Sequence, residues 1–209
     1  MDYLISSLIG YLLGSIPTGY LFLKKSRGID IRSAGSGNVG AYNSYDVTKS
    51  KLIGLSVLLL DLLKGILSVS ITKFIYPDIF IFPALSLFFA VFSHCYNPWL
   101  NFKGGRGLAT AAGGSLFLVP LLAIIWAVLW VIFYIMRKDI LFANIAATIM
   151  SILAIFNSGN IAVKYSFPKP ADESIIILLS TSVLIMIFIK HIEPLKELVQ
   201  KQLKKKNDK

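Results

Sequence analysis

Residues 107–136, GLATAAGGSLFLVPLLAIIWAVLWVIFYIM, decide the fold because they can form one long apolar helix or two short ones. A single helix of this length would measure about 45 Å, well beyond the ~30 Å hydrocarbon core of a bilayer. Pro120 favours two helices, since proline interrupts a helix and is well suited to begin one. The choice sets the number of membrane spans at six or seven.

Five further apolar stretches are close to the roughly 20 residues that a helix needs to cross a bilayer. They are residues 4–23, 52–75, 80–100, 140–157 and 174–190. A hydrophobic content of 56% and a mean hydropathy of +0.71 are typical of a membrane protein. No basic segment precedes the first stretch, so we expect a first membrane helix and not a cleaved signal peptide.

The placement of lysine and arginine separates six spans from seven. Two helices, 105–118 and 120–136, place 17 of the 21 basic residues on one face and three on the other, with Lys64 inside the membrane. Such asymmetry follows the enrichment of cytoplasmic segments in basic residues. The sequence therefore predicts one all-α integral membrane domain over residues 1–209, with seven transmembrane helices, the N-terminus outside and the C-terminus in the cytoplasm. The net charge of +10 then serves contact with anionic lipid headgroups, and no nucleic-acid partner is expected.

The predicted first cytoplasmic loop contains residues 33–44, SAGSGNVGAYNS. Its glycines allow tight turns that aim successive N–H groups at an anion, and its polar side chains add further donors. The same composition is also typical of an ordinary turn, and the Gly-Lys-Ser/Thr of a Walker loop is missing. The candidate phosphate-binding residues are Ser36, Gly37, Asn38, Gly40 and Asn43.

A second loop, residues 102–110, FKGGRGLAT, combines two cations and three glycines with a predicted helix start. Basic side chains beside free N–H groups at a helix N-terminus make a good phosphate site. The alternative is an anchor for lipid headgroups. Two such loops on one face favour phosphate binding. The candidate residues here are Lys103, Gly104, Gly105 and Arg106.

Ionisable residues also occur within or at the ends of apolar stretches. Asp61 and Lys64, three residues apart, lie on one side of a helix, either as an ion pair or as support for a polar site. His94 and His191 end predicted helices near the cytoplasmic boundary, where histidine can carry a proton, bind phosphate or face the interface. No metal is expected, because neither histidine has a second ligand at helical spacing; the single cysteine, Cys95, excludes a cysteine-rich zinc site.

The chain resembles the bacterial acyl-phosphate:glycerol-3-phosphate acyltransferases, the PlsY family, in four motifs that occur in the same order. These are GSIP at 14–17, GSGNVGA at 35–41, DLLKG at 61–65 and FKGGRGLAT at 102–110. The resemblance covers nearly the full length. It implies a multi-pass protein of the bacterial cytoplasmic membrane that has seven helices, a cytoplasmic active site and no cofactor.

The activity implied by the resemblance is transfer of a fatty acyl group from acyl phosphate to the 1-hydroxyl of glycerol 3-phosphate. The products are lysophosphatidic acid and phosphate, in phospholipid biosynthesis. The implied partners are the two substrates, membrane lipids and, by functional coupling, the enzyme that forms acyl phosphate. A small transporter of phosphorylated solutes, using the buried charges, is the alternative from another class.

Carried over by position, the resemblance gives roles to the candidate residues. Ser36, Gly37, Asn38 and Asn43 would hold phosphate or the polar part of the donor, and Lys103 and Arg106 would neutralise charge. The predicted catalytic residues are His191, Ser36 and Arg106; Asp61, Lys64 and His94 are predicted from their own positions to support the site. His191 would contact the acceptor, and the hydroxyl proton would pass to it or to a substrate phosphate. A nucleophilic Ser36 is disfavoured because no histidine–acid relay is evident around it.

Three departures from the family pattern leave the acceptor open. Tyr42, Asp46 and Pro194 stand where the family usually has threonine, arginine and asparagine. Asp46 replaces a cation by an anion, for which Lys49 or Lys51 would compensate. A paralogue that acylates a different phosphorylated acceptor is therefore a second alternative.

Overall fold

The part of the chain that the structure describes forms a bundle of nine α-helices. The computed structural model describes residues 1–207, with backbone alone for residues 201–207. The helices are α1 (Asp2–Ser15), α2 (Thr18–Arg27), α3 (Ala41–Thr48), α4 (Lys51–Ile75), α5 (Ile81–Cys95), α6 (Leu108–Leu118), α7 (Pro120–Arg137), α8 (Ile140–Tyr165) and α9 (Glu173–Asn207). Short 3-10 turns at Ile31–Ser33 and Pro98–Leu100 lie in the connecting loops.

Among the described residues, five segments are long and apolar enough to cross a membrane. They are Asp2–Arg27, Lys51–Ile75, Pro120–Arg137, Ile140–Tyr165 and Glu173–Gln200. α5 and α6, with 15 and 11 residues, are shorter. The tail lysines beyond residue 200, which entered the charge argument, lie outside the side chains that the structure describes.

Side-chain contacts define one end of the bundle. Tyr76, just after α4, donates its hydroxyl hydrogen to Asp2 at the start of α1 over 3.1 Å. Lys73, near the end of α4, donates to the carbonyl of Phe117 over 3.0 Å and lies over the ring of Phe167. The α6–α7 turn and the α8–α9 loop therefore share an end with the chain's N-terminus. α6 and α7 form a hairpin around this turn, which contains Pro120.

The first apolar stretch is divided, whereas the sequence predicts a continuous helix over 4–23. Ile16 has an extended backbone (φ −61°, ψ 113°), as expected for a residue that precedes proline. Its carbonyl accepts a hydrogen bond from Lys64 Nζ over 3.1 Å, and Asn97 donates to the carbonyl of Ser15 over 2.7 Å. Polar side chains from two other segments thus satisfy backbone groups that the break at Pro17 leaves without helical partners.

Several helix ends differ from the predicted ones. α3 is a helix within a stretch that the sequence indicates is loop. α5 ends at Cys95, before the predicted end at residue 100, because Asn97 accepts from the N–H of Trp99 and begins a 3-10 turn. α6 begins at Leu108 and not at residue 105, since Gly107 has a left-handed backbone (φ 85°) that cannot continue a helix.

The last two helices are longer than predicted. α8 extends beyond residue 157 to Tyr165, past a non-helical Ser158. α9 continues beyond residue 190 and through Pro194, which removes one backbone hydrogen bond but is followed by strong helix-forming residues. His191 consequently lies inside α9 and not at its end.

Glycines bring α4 and α6 into close contact. A Cβ on Gly65 would collide with the carbonyl oxygen of Thr110, and one on Gly113 with that of Leu62. Such backbone approach between small residues is the usual way that helices associate in membranes. It holds α6, and the loop before it, against the turn of α4 that carries Asp61.

Candidate active site

The two glycine-rich loops meet over a set of adjoining cavities. Asn38 from the first loop and Arg106 from the second line all three of them, which measure about 460, 480 and 490 Å³. The first, which we call the apolar space, passes Leu62, Ala112 and Trp130 between α4, α6 and α7. The loops thus join an apolar interior to a polar surface.

The other two cavities are polar and differ in the helix that completes their walls. The α9 space is lined by Lys103, Lys190 and Glu193, together with Ser36. The α7 space is lined by Tyr134, Lys138 and Asp139, together with Ser36 and Asn43. Ser36, Asn38 and Arg106 lie where these two spaces adjoin.

Asn43 organises the first loop from within. It is 1% exposed, its Oδ1 accepts from the N–H of Ser36 over 2.9 Å, and its Nδ2 donates to the carbonyls of Ala34 and Asn38 over 3.0 and 2.8 Å. Gly37 turns the chain with a left-handed backbone (φ 70°), which glycine adopts without strain. The amide of Asn43 is engaged in the loop, while Ser36 and Asn38 face the cavities.

The second loop rests on His94. The N–H groups of Gly104 and Gly105 donate to the carbonyls of Cys95 and His94 over 3.2 and 3.0 Å, so these two amides are already occupied. A Cβ on Gly105 would collide with the imidazole ring of His94. The glycines therefore permit close packing that presents Arg106 and the first residues of α6 to the apolar space.

Four cations line the polar spaces: Lys103, Arg106, Lys138 and Lys190. None has a carboxylate within 4 Å among the side chains described up to residue 200; the ion pairs there involve other residues. Burial lowers the pKa of the Arg106 guanidinium, and the charge of Glu197 opposes that shift. The site thus contains positive charge that is available for an anionic ligand.

A buried polar cluster lies under the apolar space. Asp61, 2% exposed, is 3.0 Å from Lys64 Nζ and 3.7 Å from His94 Nδ1, and it accepts a hydrogen bond from Thr18. Asp61 and His94 line the cavity. The cluster joins α2, α4 and α5 at the point where the first membrane segment is broken.

His191 contacts the cavity wall through Asn144. The histidine is 1% exposed; its Nδ1 lies 2.8 Å from the carbonyl of Ile187, which requires a hydrogen on Nδ1. Its Nε2 is 3.4 Å from Nδ2 of Asn144, and Oδ1 of Asn144 accepts from Trp130 over 2.7 Å. Asn144 and Trp130 line the apolar space. Direct contact between His191 and the substrate that accepts the acyl group stays a prediction.

The three residues that depart from the family pattern, Tyr42, Asp46 and Pro194, lie in different parts of the structure. Asp46 is bound by Lys49 over 2.6 Å on the exposed side of α3, so the compensation expected from Lys49 is a direct ion pair. Tyr42 lines the apolar and α7 spaces, and Pro194 lines the α9 space. Tyr42 and Pro194 therefore bear on the shape of the site, whereas the charge of Asp46 is offset locally.

Sequence reasoning missed several residues of the cavity walls. Lys190 and Lys138 were counted only among the basic residues that set the membrane orientation, although Lys190 lies next to the candidate His191. Asn144 and Trp130 carry no signal in the sequence beyond being polar or amphipathic groups within apolar helices, which usually seek a hydrogen-bond partner. Their positions depend on how α7, α8 and α9 pack.

An apolar space between helices that opens onto a cationic surface is the arrangement expected of a membrane protein that handles molecules with a lipid tail and an anionic head. The chain belongs to the glycerol-3-phosphate acyltransferase family, whose model matches residues 4–201. It is 38% identical over 150 residues to the glycerol-3-phosphate acyltransferase of Pelagibacter ubique, covering 72% of this chain and 76% of the relative. The enzyme of that name from Ehrlichia canis is 34% identical over 195 residues, covering 92% and 93%.

Solved structures agree with this assignment. Crystal structures of PlsY, an integral membrane glycerol 3-phosphate acyltransferase, match with TM-scores of 0.79 for its glycerol 3-phosphate form and 0.78 for its lysophosphatidic acid form. The sequence identities are 29% and 28%, and each match covers 96% of this chain and 93% of the other. The chain is thus a multi-pass, all-helical membrane protein of the same fold.

Proposed function

We propose that this protein transfers a fatty acyl group from acyl phosphate to the 1-hydroxyl of glycerol 3-phosphate, as a step of phospholipid biosynthesis. The products are lysophosphatidic acid and inorganic phosphate. The observation that carries the proposal is that Asn38 and Arg106, from two different glycine-rich loops, line the same cavities, one apolar and two polar. Family membership favours this reaction over the transport of a phosphorylated solute.

The division of the cavities suits the two substrates. An acyl phosphate has an apolar tail for the space between α4, α6 and α7, and its phosphate would then lie near Arg106. Glycerol 3-phosphate is polar throughout and suits a cationic space at the surface, such as the α9 space. Holding both reactants at one point removes much of the entropic barrier to their reaction.

The reaction needs little covalent help from the protein, because acyl phosphate is a mixed anhydride. The hydroxyl oxygen of the acceptor attacks the acyl carbonyl carbon, the bond from that carbon to the phosphate oxygen breaks, and phosphate leaves with the electron pair. Arg106 would stabilise the negative charge on the leaving phosphate, and Ser36 and Asn38 would add neutral donors. Both ring nitrogens of His191 have protein partners, which favours a phosphate oxygen as acceptor of the hydroxyl proton.

Purified protein in detergent should release phosphate from palmitoyl phosphate only when glycerol 3-phosphate is present. Mass spectrometry should find lysophosphatidic acid in an amount equal to the phosphate released. Release with another polyol phosphate but not with glycerol 3-phosphate would establish the paralogue that the departures at Tyr42 and Pro194 leave open. Acylation from acyl-CoA alone would contradict the proposed donor.

We further propose seven spans in a bacterial cytoplasmic membrane, with the active site and the C-terminus in the cytoplasm. The α6–α7 hairpin and the distribution of basic residues support this orientation. Cysteines introduced as Arg27→Cys and Lys169→Cys should react with a membrane-impermeant maleimide from the cytoplasmic and the outer side, respectively. The native Cys95 is buried and gives a low background. Labelling of both positions from one side would refute the orientation.

A further inference from the structure

We infer that Lys138 is a substrate-binding residue whose ammonium group holds the phosphate of the acyl donor. The inference rests on the proposed acyltransferase function and adds a residue that lies outside the two glycine-rich loops. Its basis is the position of Lys138 on the wall of the α7 space, on the same cavity as Ser36, Asn38 and Arg106.

At the end of α7, the side chains of the adjacent residues Arg137 and Lys138 lie in different places. Lys138 has a left-handed backbone (φ 53°), and its N–H closes the helix by donating to the carbonyl of Tyr134 over 2.7 Å. Its ammonium lies 5.6 Å from the centre of the Tyr134 ring, and both residues line the α7 space. The guanidinium of Arg137 instead lies 5.2 Å from the centre of the Phe142 ring. Helix termination therefore gives adjacent charges different surroundings.

Lys138 is available to a ligand. Among the side chains described up to residue 200, no carboxylate forms an ion pair with it. The neighbouring Asp139 also lines the space, but its Oδ1 accepts from the N–H of Phe142 over 2.9 Å and caps α8. Together with Arg106, Lys138 gives this cavity two cations, and a phosphate between them would receive charge-assisted hydrogen bonds from both sides.

The residues that the cavities share indicate that the phosphate beside Lys138 is the one of the acyl donor. The α7 space shares Tyr42 and Ile140 with the apolar space, in addition to Asn38 and Arg106. The α9 space shares only the latter two. In acyl phosphate the phosphate is bonded directly to the acyl carbonyl carbon, so its site must adjoin the space for the tail. The acceptor, which has no tail, is left with the α9 space and the cations Lys103 and Lys190.

The test compares Lys138→Ala with Arg137→Ala, a matched loss of one charge from the adjacent residue. In detergent, Lys138→Ala should raise the KM for palmitoyl phosphate about three- to tenfold, as expected for one partly solvated ionic contact, and leave the KM for glycerol 3-phosphate within about twofold. Lys138→Arg should restore most of the donor affinity. Arg137→Ala should keep both constants at the wild-type value.

Two further outcomes separate the possible sources of the anion. If the effect of Lys138→Ala occurs only in vesicles that contain phosphatidylglycerol, and not in phosphatidylcholine vesicles or neutral detergent, Lys138 binds lipid headgroups and the inference is overturned. It is also overturned if the KM for glycerol 3-phosphate rises instead, or if neither constant changes. Inactive wild-type protein would contradict the proposed function itself, whereas active wild type with an unaltered Lys138→Ala variant contradicts this inference alone.

Discussion

Arg106→Ala should lower kcat/KM for acyl transfer by about tenfold to a hundredfold, the loss expected when a charge-assisted contact of roughly 1.5–3 kcal/mol is removed. Arg106 lines all three cavities, and its charge is not neutralised by an ion pair with any side chain described up to residue 200. Burial of the guanidinium weakens its hydration and so strengthens its interaction with a phosphate.

Arginine geometry and arginine charge can be separated. Arg106→Lys keeps the positive charge but loses the planar pair of donors, so an intermediate loss is expected. Arg27→Ala, which removes an exposed arginine at the end of α2, is the control and should keep wild-type turnover. Initial rates of phosphate release measure all three variants, and size-exclusion chromatography confirms that they are folded. Wild-type turnover in folded Arg106→Ala would exclude Arg106 from the reaction.

The family and the enzyme class could be predicted from the sequence, and the similar enzymes and the PlsY structures confirm both. The signal was an ordered set of motifs rather than any single one, because each glycine-rich loop alone is also an ordinary turn. The all-helical membrane class is confirmed as well. It could be predicted because the hydropathy and the length of a segment indicate directly whether a helix crosses a lipid bilayer.

The break in the first apolar segment was less predictable than the helices themselves, because polar groups from distant segments stabilise it. At the break before Pro17, Lys64 donates to the carbonyl of Ile16 and Asn97 donates to the carbonyl of Ser15. These donors are 48 and 82 residues away in sequence from the carbonyls that they bind. Hydropathy averaged over Asp2–Arg27 indicates one apolar segment, because Ser15 and Thr18 are few among apolar residues. The tertiary contacts that make the break tolerable are outside the reach of a local pattern.

The site residues of the two loops stay predictions that the geometry supports to different degrees. Ser36, Asn38, Lys103 and Arg106 line the polar cavities, whereas Asn43, Gly104 and Gly105 also have hydrogen bonds that build the loops themselves. Sequence composition cannot separate a group that binds a ligand from one that shapes the loop. Lys138 is the opposite case: no motif marks it, and only the tertiary structure brings its charge to the same cavity as the first loop.

Asp61→Ala should destabilise the protein far more than the loss of an exposed carboxylate would. The Asp61 carboxylate is 3.0 Å from the ammonium of Lys64, whose side chain is 5% exposed, and it also accepts from Thr18. Breaking a buried pair by removing one partner leaves an uncompensated charge, which costs about 3–5 kcal/mol. For a chain of this size the midpoint of thermal unfolding should fall by about 10 °C, as followed by size-exclusion chromatography after heating in detergent.

A double replacement distinguishes the lost pair from lost packing. In Asp61→Leu combined with Lys64→Met no charge is left unpaired, so much of the stability should return, although the carbonyl of Ile16 keeps only the N–H of Thr18 as a donor. Asp30→Ala breaks an exposed pair with Arg32 and should change the midpoint little, because solvent screens such contacts. If the double variant is as unstable as Asp61→Ala, the unpaired ammonium is not the cause, and the role of this cluster must instead lie in the hydrogen bonds that join the broken first segment to α4.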